Sequence, residues 1–129
     1  MIEQGLFEYL SANAGVSALV DSRIYPSVMK QGVDMPVVVF SRIGSQRSRT
    51  FCATDSLVLG TFQLDCYDRG YLKAVQLAAA VRSALVDYAG LMGDTTVNQV
   101  SLESEFDTDD PEPGLYRVSQ TYSIWYLED

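Results

Sequence analysis

The stretch from Leu57 to Tyr88 constrains the fold of this chain more than any other. Residues 57–67 alternate between apolar and polar side chains, which is typical of a half-buried strand because successive side chains point to opposite faces. The apolar face consists of Val58, Phe62, Leu64 and Cys66, and the polar face of Thr61, Gln63 and Asp65.

A helix is predicted directly after this strand and the turn at residues 68–70. Apolar residues recur there at the spacing of one helix face. They are Ala74, Leu77, Ala78, Val81, Ala84, Leu85 and Tyr88. A strand and a helix that are joined by three residues, each with one apolar face, are predicted to pack against each other.

The remaining elements are predicted around this unit in the order helix, strand, strand, helix, strand, strand. A first helix precedes residue 14, and residues 16–21 form one further turn or a short second helix. Strands are predicted at residues 36–43, 97–106 and 115–127, with Val100, Leu102 and Phe106 on one face of the third strand and Glu103 and Glu105 on the other. Residues 44–56 form a long polar connector or a pair of strand extensions. The predicted fold class is α+β, a mostly antiparallel four-stranded sheet with two helices packed on one face and a polar opposite face.

Composition places the chain among globular proteins. A length of 129 residues predicts one domain that spans residues 1–129. No apolar run approaches the ~20 residues of a membrane span, and the first residues lack the pattern of a signal peptide, so we expect a cytoplasmic protein without a membrane partner. The net charge of −8 argues against sequence-specific or generic nucleic-acid binding, which needs an excess of Lys and Arg.

The residue types that most often carry catalysis or metals are scarce. The chain has no histidine, and its two cysteines are too far apart in sequence to suggest a zinc site. Cys66 reads as a core residue, and a disulfide with Cys52 is disfavoured in a reducing compartment. We therefore expect no enzyme, no catalytic residues, no metal site and no cofactor.

An acidic run occupies the end of the predicted strand 97–106 and the turn after it. It contains Glu103, Glu105, Asp107, Asp109, Asp110 and Glu112. Paired carboxylates can act as acid and base, but this run has no nearby sequence partner that would separate their acidities. The spacing of Asp107 and Asp109 fits the start of a calcium loop, yet the required glycine is missing and Pro111 and Pro113 interrupt the run. A solvated hairpin tip and an acidic contact surface for a partner remain.

A basic and aromatic segment is its counterpart. It contains Arg42, Arg47, Arg49 and Phe51, a composition found at interface anchors. A solvent loop and a nucleic-acid patch are the alternatives, and the surrounding negative charge disfavours the second. Neighbouring copies that place the basic segment against the acidic run would attract each other head to tail, and such contacts close into rings when the rotation permits.

Several segments together resemble the phage and prophage tail-completion proteins, which are similar to the tail-terminator and head–tail joining proteins of long-tailed phages. The resemblance rests on residues 16–20, 23–26, 36–40, 62–67, 78–82, 114–119 and 123–125, in this order and spacing. It implies an α+β fold and no catalytic residues.

The resemblance also implies a function. Proteins of this kind are non-enzymatic structural parts that form a ring, commonly a hexamer. The sequence leaves open whether the free chain is a monomer. The ring terminates the tail tube and joins it to the head connector. The implied partners are other copies, the tail tube protein and the head connector protein, and the implied locations are the host cytoplasm during assembly and the virion tail. The alternatives are another virion component, such as a tube or connector protein, or a small-ligand or metal-binding module.

Overall fold

A six-stranded mixed sheet, curled into a half-barrel, organises the fold. The structure is a computed structural model that describes residues 1–21, 23–28, 32, 34–47, 56–109 and 114–128. Within these residues the helices are α1 (Ile2–Ala12), α2 (Ala14–Val20) and α3 (Tyr71–Leu85). The strands are β1 (Ile24–Pro26), β2 (Val37–Arg47), β3 (Ser56–Asp68), β4 (Gly90–Met92), β5 (Thr95–Asp109) and β6 (Tyr116–Glu128).

The strands lie in the order β1-β2-β3-β6-β5-β4. β1 is parallel to β2, and every other neighbouring pair is antiparallel. The four long strands therefore form the middle of the sheet. The three-residue strands β1 and β4 each pair with part of one outer edge.

The predicted four-stranded sheet with two helices is wrong, because the structure has six strands and three helices within the described residues. The two missed strands, β1 and β4, have three residues each, which is too short to show a period of two. The additional helix α2 is separate from α1 because Asn13 is extended and its side chain accepts a hydrogen bond from the Val16 N–H at 3.1 Å.

The central strand and helix are confirmed. All four residues of the predicted apolar strand face are fully buried in β3. The predicted helix stripe is buried from Ala74 to Leu85, but α3 ends three residues before the predicted end because Val86 is extended. The intervening turn is held by the Asp68 carboxylate, which accepts hydrogen bonds from the N–H groups of Arg69 and Gly70.

The main hydrophobic core lies between the helices and one face of the sheet. It joins α1, α2 and α3 to buried residues of all six described strands. The contact between α1 and β4 depends on a glycine, since a Cβ atom on Gly5 would lie 2.2 Å from the Met92 carbonyl oxygen. We refer to this side of the sheet as the helix face and to the other as the outer face.

The outer face is less polar than predicted at one end. Val37, Val39, Tyr67 and Leu115 form a second, small apolar cluster there. Towards the middle of this face the predicted polar character is retained: the Ser119 hydroxyl donates to Asp65 at 2.5 Å, and the Gln63 amide donates to the same carboxylate at 3.1 and 3.2 Å.

Bulges interrupt the two long flanking strands. The register of β2 shifts between Arg42 and Gly44, and that of β5 shifts between Val97 and Gln99 and again between Leu102 and Ser104. One extra residue in one strand moves all later side chains to the opposite face.

The second bulge of β5 corrects the predicted alternation of this strand. Glu105 pairs with the buried Gln120 and lies on the helix face, whereas Phe106 pairs with Ser119 and lies on the outer face. The prediction was the reverse, with Phe106 on the face of Val100 and Glu105 on the other face, because it assumed an unbroken period of two.

Candidate functional site

Two charged strand segments, one at each side of the sheet, form the candidate site. The acidic segment is the part of β5 from Glu103 to Asp109, and the basic segment is the part of β2 from Arg42 to Arg47. Strands β3 and β6 lie between β2 and β5, so the two segments do not meet within one copy.

Glu105 is the best-supported side chain of the acidic segment. The Arg82 guanidinium of α3 donates from one nitrogen to both carboxylate oxygens, at 3.0 and 2.8 Å. The Gln120 amide of β6 donates to the same carboxylate at 2.6 Å. These contacts tie β5, β6 and α3 together at a side chain that is still about one-third exposed.

Gln120 connects this carboxylate to the core. Its amide nitrogen also donates to the Ala78 carbonyl oxygen at 2.9 Å, and its carbonyl oxygen accepts from the Tyr122 hydroxyl at 2.9 Å. Gln120 and Tyr122 are both fully buried. Burial raises the pKa of the Tyr122 hydroxyl, so it stays protonated and keeps donating to Gln120.

Asp107 is held by a second residue of α3. The Tyr71 hydroxyl donates to the Asp107 carboxylate at 2.6 Å, and the Tyr71 ring meets the Tyr116 ring edge to face with centroids 5.8 Å apart. The hydrogen bond to the carboxylate, together with its negative charge, raises the pKa of Tyr71. Asp107 is exposed but oriented by α3, in contrast to a freely solvated hairpin tip.

The other predicted acidic residues have less structural support. Glu103 is exposed at the second bulge of β5. The backbone of Asp109 pairs with Tyr116. Asp110 and Glu112 lie outside the described residues.

The basic segment is held by carboxylates near the two ends of the chain. Arg42 forms an ion pair with Glu3 of α1 at 2.9 Å, and Arg47 forms one with Glu128 of β6. Both arginine side chains stay about half exposed, at 45% and 57%. Arg49 and Phe51 lie outside the described residues.

A shallow cleft of about 350 Å³ lies beside these ion pairs. Its charged lining side chains, Glu3, Arg42 and Glu128, all belong to the ion pairs just described. In the described part of the chain, no three acidic, cysteine or histidine side chains are grouped closely enough to hold a metal ion. No described helix is long and apolar enough to cross a membrane.

Sequence reasoning missed the side chains that orient the acidic segment. Tyr71 and Arg82 are 36 and 23 residues away from the carboxylates they bind, and no local pattern links them. Gln120 could have been recognised from the sequence. In the alternation of β6 it stands on the same face as the apolar residues Val118 and Tyr122. A polar residue at such a position needs a buried partner.

Comparisons with known proteins identify a matching family and solved structures with the same fold. The family model described as "Tail completion protein gp17" matches residues 4–127. A chain from the virion of a native gene transfer agent particle is 19% identical and superposes with a TM-score of 0.73, covering 95% of this chain and 92% of that chain. A second solved structure, whose name states no function, is 10% identical with a TM-score of 0.52 over 92% of this chain and 89% of that chain. At these identities the two structures establish a shared fold. No curated protein matches the chain.

Proposed function

The chain belongs to the tail completion protein gp17 family of phage tail proteins, and from this membership we propose that it forms a ring that terminates the tail tube and joins it to the head connector. The family match, which extends over residues 4–127, is the observation that carries the proposal. The proposed role is structural and non-enzymatic, and it is performed in the host cytoplasm during assembly and then in the virion tail.

The structural likeness supports a place in a particle. The gene transfer agent chain comes from a virion and shares its fold with this chain over nearly the whole length of both. The proposed partners are the tail tube protein on one side of the ring and the head connector protein on the other. A hexamer is the proposed ring size.

The charge distribution supports self-association. The acidic and basic segments lie towards opposite edges of one sheet and carry opposite charge. A contact between two different surface patches repeats from copy to copy and closes into a ring when the rotation permits. Opposite charges also steer the encounter of the two patches and fix their register.

Electron microscopy of tail tubes tests the proposed function. Tubes assembled without this protein are mixed with the purified chain, and a ring-shaped density at one end that stops further growth is the expected result. The unfolding variant Leu85→Asp serves as a control that should leave the tubes uncapped. Decoration along the tube, incorporation into it or no binding would contradict the terminating role.

A further inference from the structure

Among the residues that the structure describes, both flanking strands have a free edge over part of their length. β1 pairs with β2 only at residues 38–40, so residues 41–47 have no strand on their outer side within the described part of the chain. β4 pairs with β5 only at residues 95–97, and the Asp87 N–H donates to the Val100 carbonyl oxygen. Residues 101–109 of β5 likewise have no strand on their outer side among the described residues and are the second free edge. Unpaired backbone groups at a sheet edge are a template for another strand.

The backbone and side-chain directions of the two edges match. The Val38 N–H and the Phe40 carbonyl oxygen both bond towards β1, and the Val100 carbonyl oxygen bonds towards Asp87. On both strands, therefore, residues with side chains on the helix face point their backbone groups outward. Past the bulges these are Ser45 on β2 and Glu105 on β5, as their partners Gly60 and Gln120 show.

The strand directions also match. β2 and β3, β3 and β6, and β6 and β5 are antiparallel pairs, so β2 and β5 run in opposite directions. Rotation about a ring axis preserves these directions and keeps all helix faces on one side. β2 of one copy placed beside β5 of the next therefore forms an antiparallel pair.

We propose that the free edge of β2 in one copy pairs antiparallel with the free edge of β5 in the next copy, with Ser45 opposite Glu105. The proposal rests on the proposed ring function and assigns its contact between copies. Within one copy, Ser45 of β2 pairs with Gly60 of β3. Glu105 of β5 pairs with Gln120 of β6, which in turn pairs with Leu64 of β3, four residues farther along that strand. The two copies are therefore offset by about four residues, or ~13 Å at 3.3 Å per residue.

This register brings opposite charges together. Arg42 comes to lie opposite Asp107, because Ile43 is the extra residue of the β2 bulge, and Arg47 comes to lie beside Glu103 in the β5 bulge. Arg42 and Asp107 both lie on the helix face, since their partners within the sheet are the buried Phe62 and Val118. Each charge is partly exposed and accessible to a second partner.

The same register covers two exposed apolar side chains. Phe106 is 50% exposed on the outer face and comes to lie opposite Gly44, which leaves room for the ring. Ile43, 55% exposed, is next to Gly44 in the bulge. An aromatic side chain over a cross-strand glycine is a stabilising arrangement at strand edges.

β1 is a poor alternative edge. Its outer side includes Pro26, which has no N–H to donate, and proline is typical of an edge that does not pair. Under the proposed offset, Pro26 of β1 comes level with Asp109, the last residue of the neighbouring β5, and β4 lies beyond the end of the neighbouring β2 segment. The two short strands would then act as stops that exclude other registers.

Cysteine cross-linking in capped tubes tests this contact. Gln46→Cys and Ser104→Cys are combined in one chain that also carries Cys52→Ser, while Cys66 stays because it is fully buried. Both positions are exposed, lie on the outer face and come directly opposite each other between copies. The expected result under oxidation is a ladder of linked chains up to the size of the ring.

The matched control is Ser45→Cys with Ser104→Cys, which places the two thiols on opposite faces and should give no ladder. Adding Ser45→Pro to the linking pair removes the central outward N–H and should abolish the ladder, whereas adding Ser45→Ala should retain it. Capped tubes without a ladder from the linking pair, or with an equal ladder from both pairs, would overturn the edge contact and leave the terminating function standing. Wild-type protein that caps no tubes would instead remove the proposed function and the contact with it.

Discussion

The central strands and the flanking strands of the sheet follow different rules. β3 and β6 pair from Ser56↔Glu128 to Asp68↔Tyr116 without a register shift. β2 has one shift and β5 has two. The centre thus keeps one alternation of faces from end to end, whereas each flanking strand changes faces partway along its length.

This difference separates stability from surface chemistry. Over residues 58–66 of β3 and 118–126 of β6, the side chains on the helix face are apolar or aromatic apart from Gln120, and the Gln120 amide and the Tyr122 hydroxyl are hydrogen-bonded. On the flanking strands, the bulges place charged side chains on the same face as the core but at its exposed margin. A bulge costs some pairing within the sheet and in return aims a side chain outward. We therefore expect substitutions in the centre to affect folding and those on the flanks to affect assembly.

The largest expected effect is on the centre. Leu85→Asp would place a carboxylate in the fully buried stripe of α3, at a cost comparable to the ~5–15 kcal/mol that stabilises a typical domain. We expect no cooperative thermal transition by circular dichroism. Val75→Asp, on the exposed side of the same helix at 37% exposure, is the matched control and should melt cooperatively. A folded Leu85→Asp chain would contradict the packing of α3 on β3.

The joint between the centre and β5 should show the next largest effect. Gln120→Leu leaves the buried Tyr122 hydroxyl without its acceptor, at a cost of ~1–3 kcal/mol in the free energy of unfolding. Adding Tyr122→Phe removes the hydroxyl that has lost its acceptor and should restore part of the free energy of unfolding. Urea denaturation of the two single variants and the double variant gives the coupling energy, and strictly additive losses would exclude the direct bond.

Alkaline pH should weaken the centre through Cys66. Burial raises the pKa of its thiol above the ordinary value of 9.0, and the neighbouring Asp65 adds to the effect. Below pH 9.0 the thiol is neutral in both states and its contribution is complete. Above it the unfolded thiol ionises while the folded one does not, so stability falls by up to about 1.4 kcal/mol per pH unit.

Comparison of wild type with Cys66→Ala by urea denaturation under reducing conditions isolates this thiol. The difference between the two proteins should shrink as the pH rises from 8 to 10. Parallel pH profiles would show that the thiol titrates alike in both states. Tyr122, whose pKa is also raised, contributes to wild type and to Cys66→Ala alike, so its effect cancels in the difference between the two proteins.

The sequence predicted the centre well because one physical signal was sufficient there. The alternation in β3 and the helical spacing in α3 both persist to the ends of their elements, and burial follows them. β1 and β4 escaped prediction because three residues are too few to show an alternation, and β1 in addition pairs with a strand farther along the chain, as in the match of Ile24 with Val38. The α2 helix was left open because Asn13 fits both a helix end and a new cap.

The candidate site was predicted in composition but not in geometry. Charge density alone selected Arg42, Arg47 and the acidic segment as candidates, and their role stays a prediction. The faces of Glu105 and Phe106 depend on the extra residue at the second β5 bulge, and nothing in a serine- and glutamate-rich strand marks which residue is extra. The support from Tyr71 and Arg82 depends on how α3 lies across the sheet, which becomes known only with the structure.

The smallest expected effect distinguishes the bulged register from the unbroken one. Phe106→Thr keeps a residue suited to strands and removes an aromatic ring that is half exposed on the outer face, so the free energy of unfolding should change by no more than about 0.5 kcal/mol. An unbroken alternation would place Phe106 in the core, where truncation of an aromatic costs ~3–5 kcal/mol. Val100→Thr, at a fully buried position of the same strand, is the reference and should cost more than Phe106→Thr by urea denaturation. If Phe106→Thr lowers the free energy of unfolding as much as Val100→Thr does, or more, Phe106 lies on the helix face. The register with the bulge would then be wrong, and Glu105 would not contact Arg82.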